Sequence, residues 1–379
     1  MSVKVCHITS VHQPGDARIF LKECTTLAAA GFEVSLVYCT NGQREEKTSN
    51  NVRLIGVPRA GNGRFSRMVK DTRAVIDAGL KTGATVFHFH DPELIPHAIR
   101  LYKKGYTVFY DAHEDLPLQI MSKHYLPGFI RSTVAAIMRL METWMSKRVS
   151  GIIAATPSIG TKFKRTQPNT EVIFNFPRLD ELLVKDIPFE QRENALCYIG
   201  GIMKTRGIVE LIDAMDGLSY PLHLCGSFSP ESLRNEVINK PGWQRVQEHG
   251  FLNRKGVLDI LTRSKIGIVT LLPSPNYIDA YPVKMFEYMA AGMAVIASDF
   301  PLWREIVTSA ECGINVDPGD PSAINSAIET LLKNDEQCRK FGENGQRAVI
   351  EKYNWEQEGN KLVQFYKTTI ARSTGKTRN

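Results

Sequence analysis

Two kinds of segment alternate along this chain of 379 residues: short runs rich in β-branched residues, and longer runs with helical periodicity. A short β-branched run is typical of a buried strand. Strands that alternate with helices predict βαβ units, in which helices cover both faces of a parallel sheet. In the first half of the chain the predicted strands are residues 3–10, 32–39, 52–57, 85–90, 107–112, 151–155 and 171–174, and a helix is predicted at residues 16–30.

A polar and charged stretch at residues 177–194 interrupts this alternation, and a second α/β series follows it. In this second series the predicted strands are residues 195–199, 222–225, 265–271, 294–298 and 313–316. Domains commonly hold about 100 to 200 residues, so the length suits two of them. We therefore predict an α/β fold of two Rossmann-like, doubly wound domains facing across a cleft, with domains at residues 1–184 and 185–354 and a C-terminal helix and polar tail at 355–379. Ligands bind at the carboxyl ends of strands in such sheets, which makes the cleft the predicted site.

Several classes of protein are excluded by what the sequence lacks. No apolar run approaches the roughly 20 residues of a membrane-spanning helix, and the start MSVKVCHITS has no secretory pattern. The seven cysteines are scattered without a Cys-x-x-Cys pair, which favours free thiols in the cytoplasm and no zinc site. Neither Gly61-Asn62-Gly63 nor Gly375-Lys376-Thr377 completes a nucleotide fingerprint, which disfavours a conventional dehydrogenase or a P-loop ATPase.

The positive charge of the chain is confined to its first part. Residues 1–150 contain 20 Lys and Arg against 13 Asp and Glu, whereas the remainder contains 27 of each. Ordinary solubility explains such an excess, and so does a face that meets an anionic membrane or a phosphate-bearing substrate. A helical pattern at residues 129–149 carries apolar residues on one side together with basic residues. Packing against its own domain is the simpler explanation, and contact with anionic headgroups is the alternative.

The most informative segment is residues 276–307, NYIDAYPVKMFEYMAAGMAVIASDFPLWREIV. Pro282 can open a helix at Val283, and Lys284 and Glu287 then lie near one another on its surface. A helix start beside a lysine suits a diphosphate, and Glu287 suits the vicinal hydroxyls of a ribose. A surface Lys–Glu pair on an ordinary helix is the alternative.

This segment resembles the signature of the family 4 retaining glycosyltransferases, enzymes with the GT-B fold that use nucleotide sugars. In that family two glutamates flank seven residues, the first contacting the donor sugar and the second holding the ribose. Glu287 matches the second glutamate, and Asp279 stands at the position of the first with one methylene less. Residues 281–287 resemble the YPxKxFE variant of the bacterial polysaccharide members.

A second segment, residues 197–210 (CYIGGIMKTRGIVE), places a glycine-rich turn between a strand and a helix. Its backbone, together with Lys204 and Arg206, suits phosphate oxygens. It resembles the family's pattern of two cations that bind the donor diphosphate. Gly201, after Gly200, occupies the place of the first cation and Arg206 that of the second, so Lys204 or Lys284 is expected to replace the missing one. A plain turn with solvated cations is the alternative.

Histidines follow two predicted strands of the first domain. His113 ends the strand in FYDAHEDL, where α/β sheets present functional groups, and the resemblance implies contact with the donor sugar. His88 and His90 face one side of a strand, and with Asp91 they imitate a metal site. The resemblance implies no metal requirement, so we expect both histidines either to support the contact residues from behind or to lie on the acceptor side.

Three turns complete the predicted site. In SVHQPGDAR the resemblance places Gly15 near the donor phosphate, and Asp16 and Arg18 are the candidate acceptor contacts. A plain turn in which Asp16 caps the helix is the alternative. The remaining turns resemble places where the family's second domain cradles the nucleotide base, and their residues are Gly226, Ser227, Phe251 and Leu252.

These features together predict a retaining hexosyl- or related glycosyltransferase that moves a sugar from a nucleoside diphosphate donor to an acceptor hydroxyl. The resemblance implies no cofactor, a donor-binding second domain and an acceptor-side first domain. The acceptor is expected to be a saccharide or a lipid-linked glycan, as in polysaccharide or lipopolysaccharide assembly, at the inner face of the cytoplasmic membrane. The alternatives are a nucleotide-sugar epimerase of the same fold and a non-catalytic nucleotide-sugar-binding partner. Nucleic acid binding is disfavoured because no aromatic pattern accompanies the basic residues.

Overall fold

The computed structural model describes residues 2–61, 67–121, 127–183 and 187–376. The chain forms two compact units: Met1–Asn175 together with Glu356–Asn379, and Phe176–Trp355. The division lies between Asn175 and Phe176, and the sequence predicts it between residues 184 and 185. Residues 184 and 185 lie outside the described residues. Residues 62, 63 and 377, which belong to the two glycine motifs, also lie outside them.

The first unit is built on an eight-stranded sheet in the order β3-β4-β2-β1-β5-β6-β7-β8. Every neighbouring pair is parallel except β3 and β4. The inner strands are buried on both faces, as expected of a parallel sheet between helical layers. The strands are β1 Lys4–Ile8, β2 Glu33–Thr40, β3 Glu45–Ser49, β4 Val52–Pro58, β5 Val86–Phe89, β6 Thr107–Ala112, β7 Gly151–Ala154 and β8 Thr170–Val172.

Helices connect these strands. The first begins after Asp16 with π-type hydrogen bonding, and the chain turns at Gly31, whose φ of +91° suits glycine. The helical segments of this unit are Ala17–Cys24, Thr25–Ala29, Arg67–Asp71, Thr72–Leu80, Pro92–Leu94, Ile95–Lys103, Leu116–Met121, Gly128–Ser146 and Pro157–Lys164, and nearly all of Trp355–Lys376 returns to it.

The helix Gly128–Ser146 corrects one expectation from the sequence. Met145 packs in the core of its unit, but most of the apolar stripe does not. The stripe faces outward, so packing against the first unit does not account for it. Its exposed large apolar side chains are Phe129, Ile130, Val134, Ile137, Leu140 and Trp144.

The second unit contains a six-stranded parallel sheet in the order β11-β10-β9-β12-β13-β14. Its strands are β9 Glu193–Ile199, β10 Leu222–Cys225, β11 Val246–Gly250, β12 Ser264–Val269, β13 Ala294–Ser298 and β14 Gly313–Val316. Its helical segments are Leu179–Leu182, Phe189–Gln191, Lys204–Arg206, Ile208–Ala214, Ser232–Val237, Pro241–Arg245, Arg254–Arg263, Pro275–Ile278, Val283–Ala290, Pro301–Ala310, Pro321–Leu332 and Asp335–Glu351.

Two strands are absent from the sequence prediction, and both lie at a sheet edge. β3 (EEKTS) is largely exposed and pairs only with β4. β11 (VQEHG) is half-exposed and pairs only with β10. An edge strand is held by backbone hydrogen bonds from one neighbour, so it needs no apolar run.

Candidate functional site

Two glycine turns lie back to back at the carboxyl ends of β9 and β10. Gly200 and Gly226 have φ values of +149° and +146°, a conformation that side chains rarely adopt. A Cβ atom on Gly226 would lie 1.8 Å from the carbonyl oxygen of Gly200. Close contact between the two turns therefore requires glycine, and Gly201, which follows Gly200, is exposed.

A third glycine positions the cationic turn that follows β9. Gly207 has a φ of +70° and separates Lys204–Arg206 from the helix Ile208–Ala214. A Cβ atom at this position would lie 2.0 Å from the carbonyl oxygen of Thr270, at the end of β12. Only glycine lets the turn pack against that strand.

Arg206 and Lys284 lie on the same glycine turn. A Cβ atom on Gly200 would be 3.1 Å from Nη1 of Arg206 and 3.7 Å from Cε of Lys284. The buried Nε of Arg206 has no hydrogen-bond partner among the residues that the structure describes. Burial would lower the pKa of Arg206, but the neighbouring hydroxyls of Tyr198 and Tyr277 outweigh it and raise the pKa. Two cations beside an open backbone turn are suited to a diphosphate.

Glu287 is the centre of an ion-pair network on the helix Val283–Ala290. Its Oε2 lies 3.0 Å from Nζ of Lys284 and its Oε1 lies 2.9 Å from Nη1 of Arg254. Arg254 in turn reaches Oε2 of Glu181 at 2.9 Å. Burial would raise the pKa of Glu287, whose side chain is only 7% exposed, but Lys284 and Arg254 outweigh it and lower the pKa. Glu287 is therefore an ionised carboxylate held in place from two sides.

Arg254 is a site residue that the sequence reasoning missed. It follows Asn253, whose side chain accepts a hydrogen bond from the backbone N–H of Gly256 and so caps the helix Arg254–Arg263. The capping residue was visible in the sequence, but no motif links Arg254 to Glu287, which lies in a different helix. Only the fold brings the two side chains together.

Lys204 does not join the cationic turn, contrary to one of the two expectations. Its side chain is 63% exposed, and its Nζ lies 2.9 Å from Oε1 of Glu236. Of the two lysines considered as replacements for the missing cation, the structure places Lys284 beside Arg206 and turns Lys204 away. Gly201 is exposed in the same turn, where its carbonyl oxygen accepts a hydrogen bond from the Tyr198 hydroxyl at 2.8 Å.

Asp279 lies in the exposed loop between the helices Pro275–Ile278 and Val283–Ala290. No described residue forms a hydrogen bond or an ion pair with its carboxylate. The loop itself is held by Trp303, whose Nε1 donates to the carbonyl oxygen of Ala280 at 2.8 Å. Asp279 therefore stands in a fixed loop with its carboxylate open to solvent.

The turns after β10 and β11 are joined through the backbone. The N–H of Gly226 donates to the carbonyl oxygen of Gly250 at 2.7 Å. Ser227 is exposed, Leu252 is half-buried, and the ring of Phe251 is 84% exposed. An exposed aromatic ring beside a glycine turn offers a stacking face to a planar ligand such as a nucleotide base.

In the first unit, His113 directly follows β6 and is 23% exposed. Its Nε2 lies 3.0 Å from Oδ2 of Asp111 and 3.3 Å from Nδ1 of His90. The ring of His12 stacks on that of His113 with centroids 5.4 Å apart. Hydrogen bonding to Asp16, opposed by burial, raises the pKa of His12. These contacts place His113 at the surface of a polar cluster.

The structure corrects the acceptor-side prediction for Arg18, His88 and His90, because all three are buried. The guanidinium of Arg18 donates to both oxygens of Asp111, each at 2.9 Å, and to the carbonyl oxygen of Ile173. Charged groups in the interior need such partners, so Arg18 is engaged in holding the fold. Each of the three residues is at most 3% exposed.

In the turn that contains Gly15, Asp16 caps the first helix, which is one of the two expectations from the sequence. The side chain of Asp16 accepts hydrogen bonds from the backbone N–H groups of Arg18 and Ile19, both at 2.9 Å, and caps the helix. Burial would raise the pKa of Asp16, but His12 and the N–H of Ile19 outweigh it and lower the pKa. Gly15 has open space around its Cα.

Below His113 lies a cluster of buried ionisable groups that the sequence did not predict as a unit: His7, Glu23, His88, His90 and Asp111. Burial is the main cause that lowers the pKa of each of these three histidines. Burial and the neighbouring Asp111 raise the pKa of Glu23 well above its usual range. Burial would also raise the pKa of Asp111, but Arg18 and His113 outweigh it and hold the pKa well below its usual range. The cluster therefore combines three histidines whose charged form is disfavoured with two carboxyl groups, Glu23 and Asp111, that both contact Arg18.

Comparison with protein families supports the division of the chain. The family described as Glycosyltransferase Family 4 matches residues 15–180, and the family described as Glycosyl transferases group 1 matches residues 180–348.

Curated relatives match part of the chain. A phosphatidyl-myo-inositol mannosyltransferase of Mycobacterium leprae is 31% identical over 43% of this chain and 43% of that protein. The capsular polysaccharide biosynthesis glycosyltransferase CapM of Staphylococcus aureus is 28% identical over 47% of each chain. The chain spans about half the length of most of the curated relatives it matches.

Solved structures match nearly the whole chain. Sucrose-phosphate synthase from Thermosynechococcus elongatus has a TM-score of 0.78 at 20% identity, covering 98% of this chain and 100% of that one. WaaG, a glycosyltransferase involved in lipopolysaccharide biosynthesis, has a TM-score of 0.68 at 15% identity and covers 94% and 98%. Anabaena HepE in complex with UDP-glucose has a TM-score of 0.71 at 13% identity and covers 96% and 99%. This likeness confirms the predicted fold class, a GT-B fold of two α/β units with largely parallel sheets.

Proposed function

The chain belongs to family 4 of the glycosyltransferases, and from this premise we propose that it transfers a sugar from a nucleoside diphosphate to an acceptor hydroxyl in glycan biosynthesis. The observation that carries the proposal is the arrangement of Arg206 and Lys284 on the Gly200 turn. Charge on the departing diphosphate grows during transfer, and fixed cations with backbone N–H groups stabilise it there. We propose that these groups suffice without a bound metal or cofactor.

The remaining donor contacts follow from the same turns. Glu287, ionised and held by Lys284 and Arg254, is proposed to accept hydrogen bonds from the ribose hydroxyls. Phe251 supplies an exposed ring against which the base stacks, with Ser227 and Leu252 nearby in sequence. Asp279 has an uncommitted carboxylate and is proposed to contact the donor sugar, as the family's first glutamate does.

We propose that transfer retains the anomeric configuration, as the resemblance to family 4 implies. In that mechanism the leaving phosphate helps to deprotonate the acceptor, so no strong protein base is needed. Lys284 and Arg206 would hold that phosphate. The alternatives differ in their products: an epimerase would turn over the donor without an acceptor, and a binding partner would retain the donor unchanged.

The test begins with ligand binding. We expect one of UDP-, GDP-, ADP- or dTDP-sugars to raise the melting temperature, because a ligand that binds the native state stabilises it. UDP-glucose is included because HepE binds it. Product analysis then shows transfer to a saccharide or lipid-linked acceptor with retained configuration. Turnover without an acceptor would favour the epimerase, and binding without turnover would favour the partner.

For the acceptor we propose a lipid-linked saccharide reached at the inner face of the cytoplasmic membrane. The exposed side of the helix Gly128–Ser146 supports this proposal, since Phe129 and Leu140 are 75% and 71% exposed. The one acidic residue of the helix, Glu142, is buried and paired with Lys162 at 2.7 Å. An exposed apolar stripe with basic residues and no exposed acid is suited to an anionic membrane surface.

This surface is connected to the candidate site of the first unit. Nζ of Lys162 lies 3.2 Å from Oδ1 of Asp115, two residues after His113.

Within the described ranges, no helix is both long and apolar enough to cross a bilayer. Flotation with vesicles containing anionic lipid tests the surface: we expect the wild type to float and Leu140→Asp to float at least tenfold less. Equal flotation of both proteins, or of neither, would contradict the membrane contact without affecting the transfer proposal.

A further inference from the structure

The surroundings of His113 determine which of its two ring nitrogens carries the proton. Nε2 lies 3.0 Å from Oδ2 of Asp111. Asp111 is ionised, since Arg18 donates to both of its oxygens at 2.9 Å. A lone pair on Nε2 would face this negative charge and be repelled, whereas an N–H there is attracted. Nε2 of His113 therefore carries the proton.

The same carboxylate sets the direction of a longer chain of contacts. A neutral histidine has one N–H and one lone pair. Once one ring nitrogen is a donor, the other is an acceptor, and this sets the role of the atom that it contacts. Nδ1 of His90 lies 3.3 Å from Oδ2 of Asp111 and donates to it, which leaves Nε2 of His90 to accept from Nδ1 of His7 at 3.0 Å. Nε2 of His7 then accepts from the hydroxyl of Tyr366 at 3.4 Å, and the Tyr366 oxygen accepts from Nδ1 of His88 at 2.6 Å.

This assignment accounts for one further observation. It leaves Nε2 of His88 as a lone pair at the end of the chain. Among the described residues, that buried nitrogen has no hydrogen-bond partner. A buried acceptor without a partner is tolerated more readily than a buried donor. One direction of hydrogen bonding therefore satisfies every contact in the chain and explains the one nitrogen that lacks a contact.

The opposite tautomer of His113 fits less well. Nε2 would then accept from Nδ1 of His90 at 3.3 Å, but its lone pair would still face Oδ2 of Asp111 at 3.0 Å. A metal ion is the other use for these groups, because ligand atoms of His7, Glu23, His88 and His90 lie within 4.8 Å of one another, and so do those of His90, Asp111 and His113. A metal in the first group would require the His7–His90 hydrogen bond to break, and a metal in the second group would require Nε2 of His113 to lose its proton.

We propose that Asp111 is a positioning residue that holds His113 in the Nε2–H tautomer and thereby presents Nδ1 as a lone pair to the ligand. No described residue forms a hydrogen bond with Nδ1 of His113. The inference rests on the proposed function for the nature of the ligand: His113 accepts a hydrogen bond from a hydroxyl of the bound sugar and does not donate one. The sugar hydroxyl is thus the donor in its contact with His113, and the buried carboxylate of Asp111 fixes this direction.

Nitrogen NMR of the full-length protein with 15N-labelled histidine tests the tautomer without any substrate. We expect the His113 resonances, assigned by their loss in His113→Asn, to show a protonated Nε2 and an unprotonated Nδ1 at neutral pH. A protonated Nδ1 would overturn the proposal. One equivalent of zinc in the purified protein would also overturn it. Neither result depends on transfer activity, so a failure here is distinct from a failure of the proposed function.

Two substitutions of His113 test the direction of the contact in the active enzyme. The amide of His113→Asn lies near the place of Nδ1, whereas that of His113→Gln lies near the place of Nε2. We expect His113→Asn to retain about tenfold more kcat/KM than His113→Gln, the effect of one hydrogen bond to the ligand. Equal activity, or higher activity of His113→Gln, would contradict the proposal.

Discussion

The cations of the glycine turns in the second unit and the charged groups beneath His113 in the first unit lie in different environments. In the second unit, Arg206 and Lys284 lie half-exposed on glycine turns. In the first unit, Arg18 and Asp111 are buried and paired with each other beneath His113, which is partly exposed. The difference shows that charge serves two purposes here: at the turns it remains available for a ligand, and in the interior it fixes the orientation of neighbouring groups.

The largest expected effect comes from a substitution that disrupts a glycine turn of the second unit. Gly207→Ala should cost more than about 4 kcal/mol of stability, because its Cβ would lie 2.0 Å from the Thr270 oxygen. Gly217→Ala is the matched control, since Gly217 has a similar φ of +75° and open space, and it should cost about 1 kcal/mol. Urea denaturation measures both values. Equal losses would show that packing at the turn is unimportant.

Acid should weaken the first unit more than the second. The folded-state pKa values of His7, His88 and His90 are lowered, so below about pH 6.5 the unfolded chain binds up to three protons that the folded unit does not. Glu23 opposes this by one proton, because its pKa is raised in the fold and unfolding releases that proton above about pH 4.5. Each unfolded histidine is half-protonated at pH 6.5, so the net uptake rises from about half a proton there to about two protons at pH 5. This removes about 3 kcal/mol of stability in total as pH falls from 6.5 to 5.

Hydrogen exchange at pH 6.5 and 5, corrected for the intrinsic rate, measures this for each unit separately. Strands β5 and β6 should lose more protection than β12 and β13, because the second unit contains two histidines with lowered pKa values, His223 and His249. Equal losses in both units would contradict the histidine account.

Removing one cation from the glycine turn should have an intermediate effect. We expect Lys284→Ala to lower kcat/KM by about 100-fold, since a preorganised charge on the leaving group is lost. Lys204→Ala should change it less than threefold, because that ammonium is exposed and bound to Glu236. Steady-state kinetics with the donor identified by thermal shift compare the two. A larger loss in Lys204→Ala would reverse the assignment of the second cation.

The smallest expected effect concerns the end of the histidine chain. Tyr366→Phe leaves Nδ1 of His88 and Nε2 of His7 without their shared partner and should cost about 1 to 2 kcal/mol of stability. Donor affinity, which belongs to the second unit, should not change. Calorimetry measures the stability and the donor affinity. A weaker donor affinity in Tyr366→Phe would show that donor binding also depends on the first unit.

The sequence predicted the fold and the positions of the glycine turns because both depend on local patterns. Buried strands require apolar runs, and Gly200, Gly207 and Gly226 occupy positions where backbone conformation or close packing excludes other residues. The edge strands β3 and β11 escaped prediction because a half-exposed strand needs no apolar run.

The buried cluster of the first unit could not be predicted for a different reason. Its members come from β1, the first helix, β5 and β6, and they contact Tyr366 of the C-terminal helix, so no local spacing relates them. A pair of histidines on one strand is equally compatible with a ligand site and with the interior. Arg254 was missed likewise, because its partner Glu287 lies 33 positions away in another helix.

The central claim is that the second unit binds the donor at the Gly200 turn. Hydrogen exchange with and without the winning nucleoside diphosphate tests it most directly. We expect protection to increase at the turn after β9 and at the start of the helix Val283–Ala290, and this increase should be lost in Lys284→Ala. Protection confined to the first unit, or unchanged in Lys284→Ala, would contradict the claim.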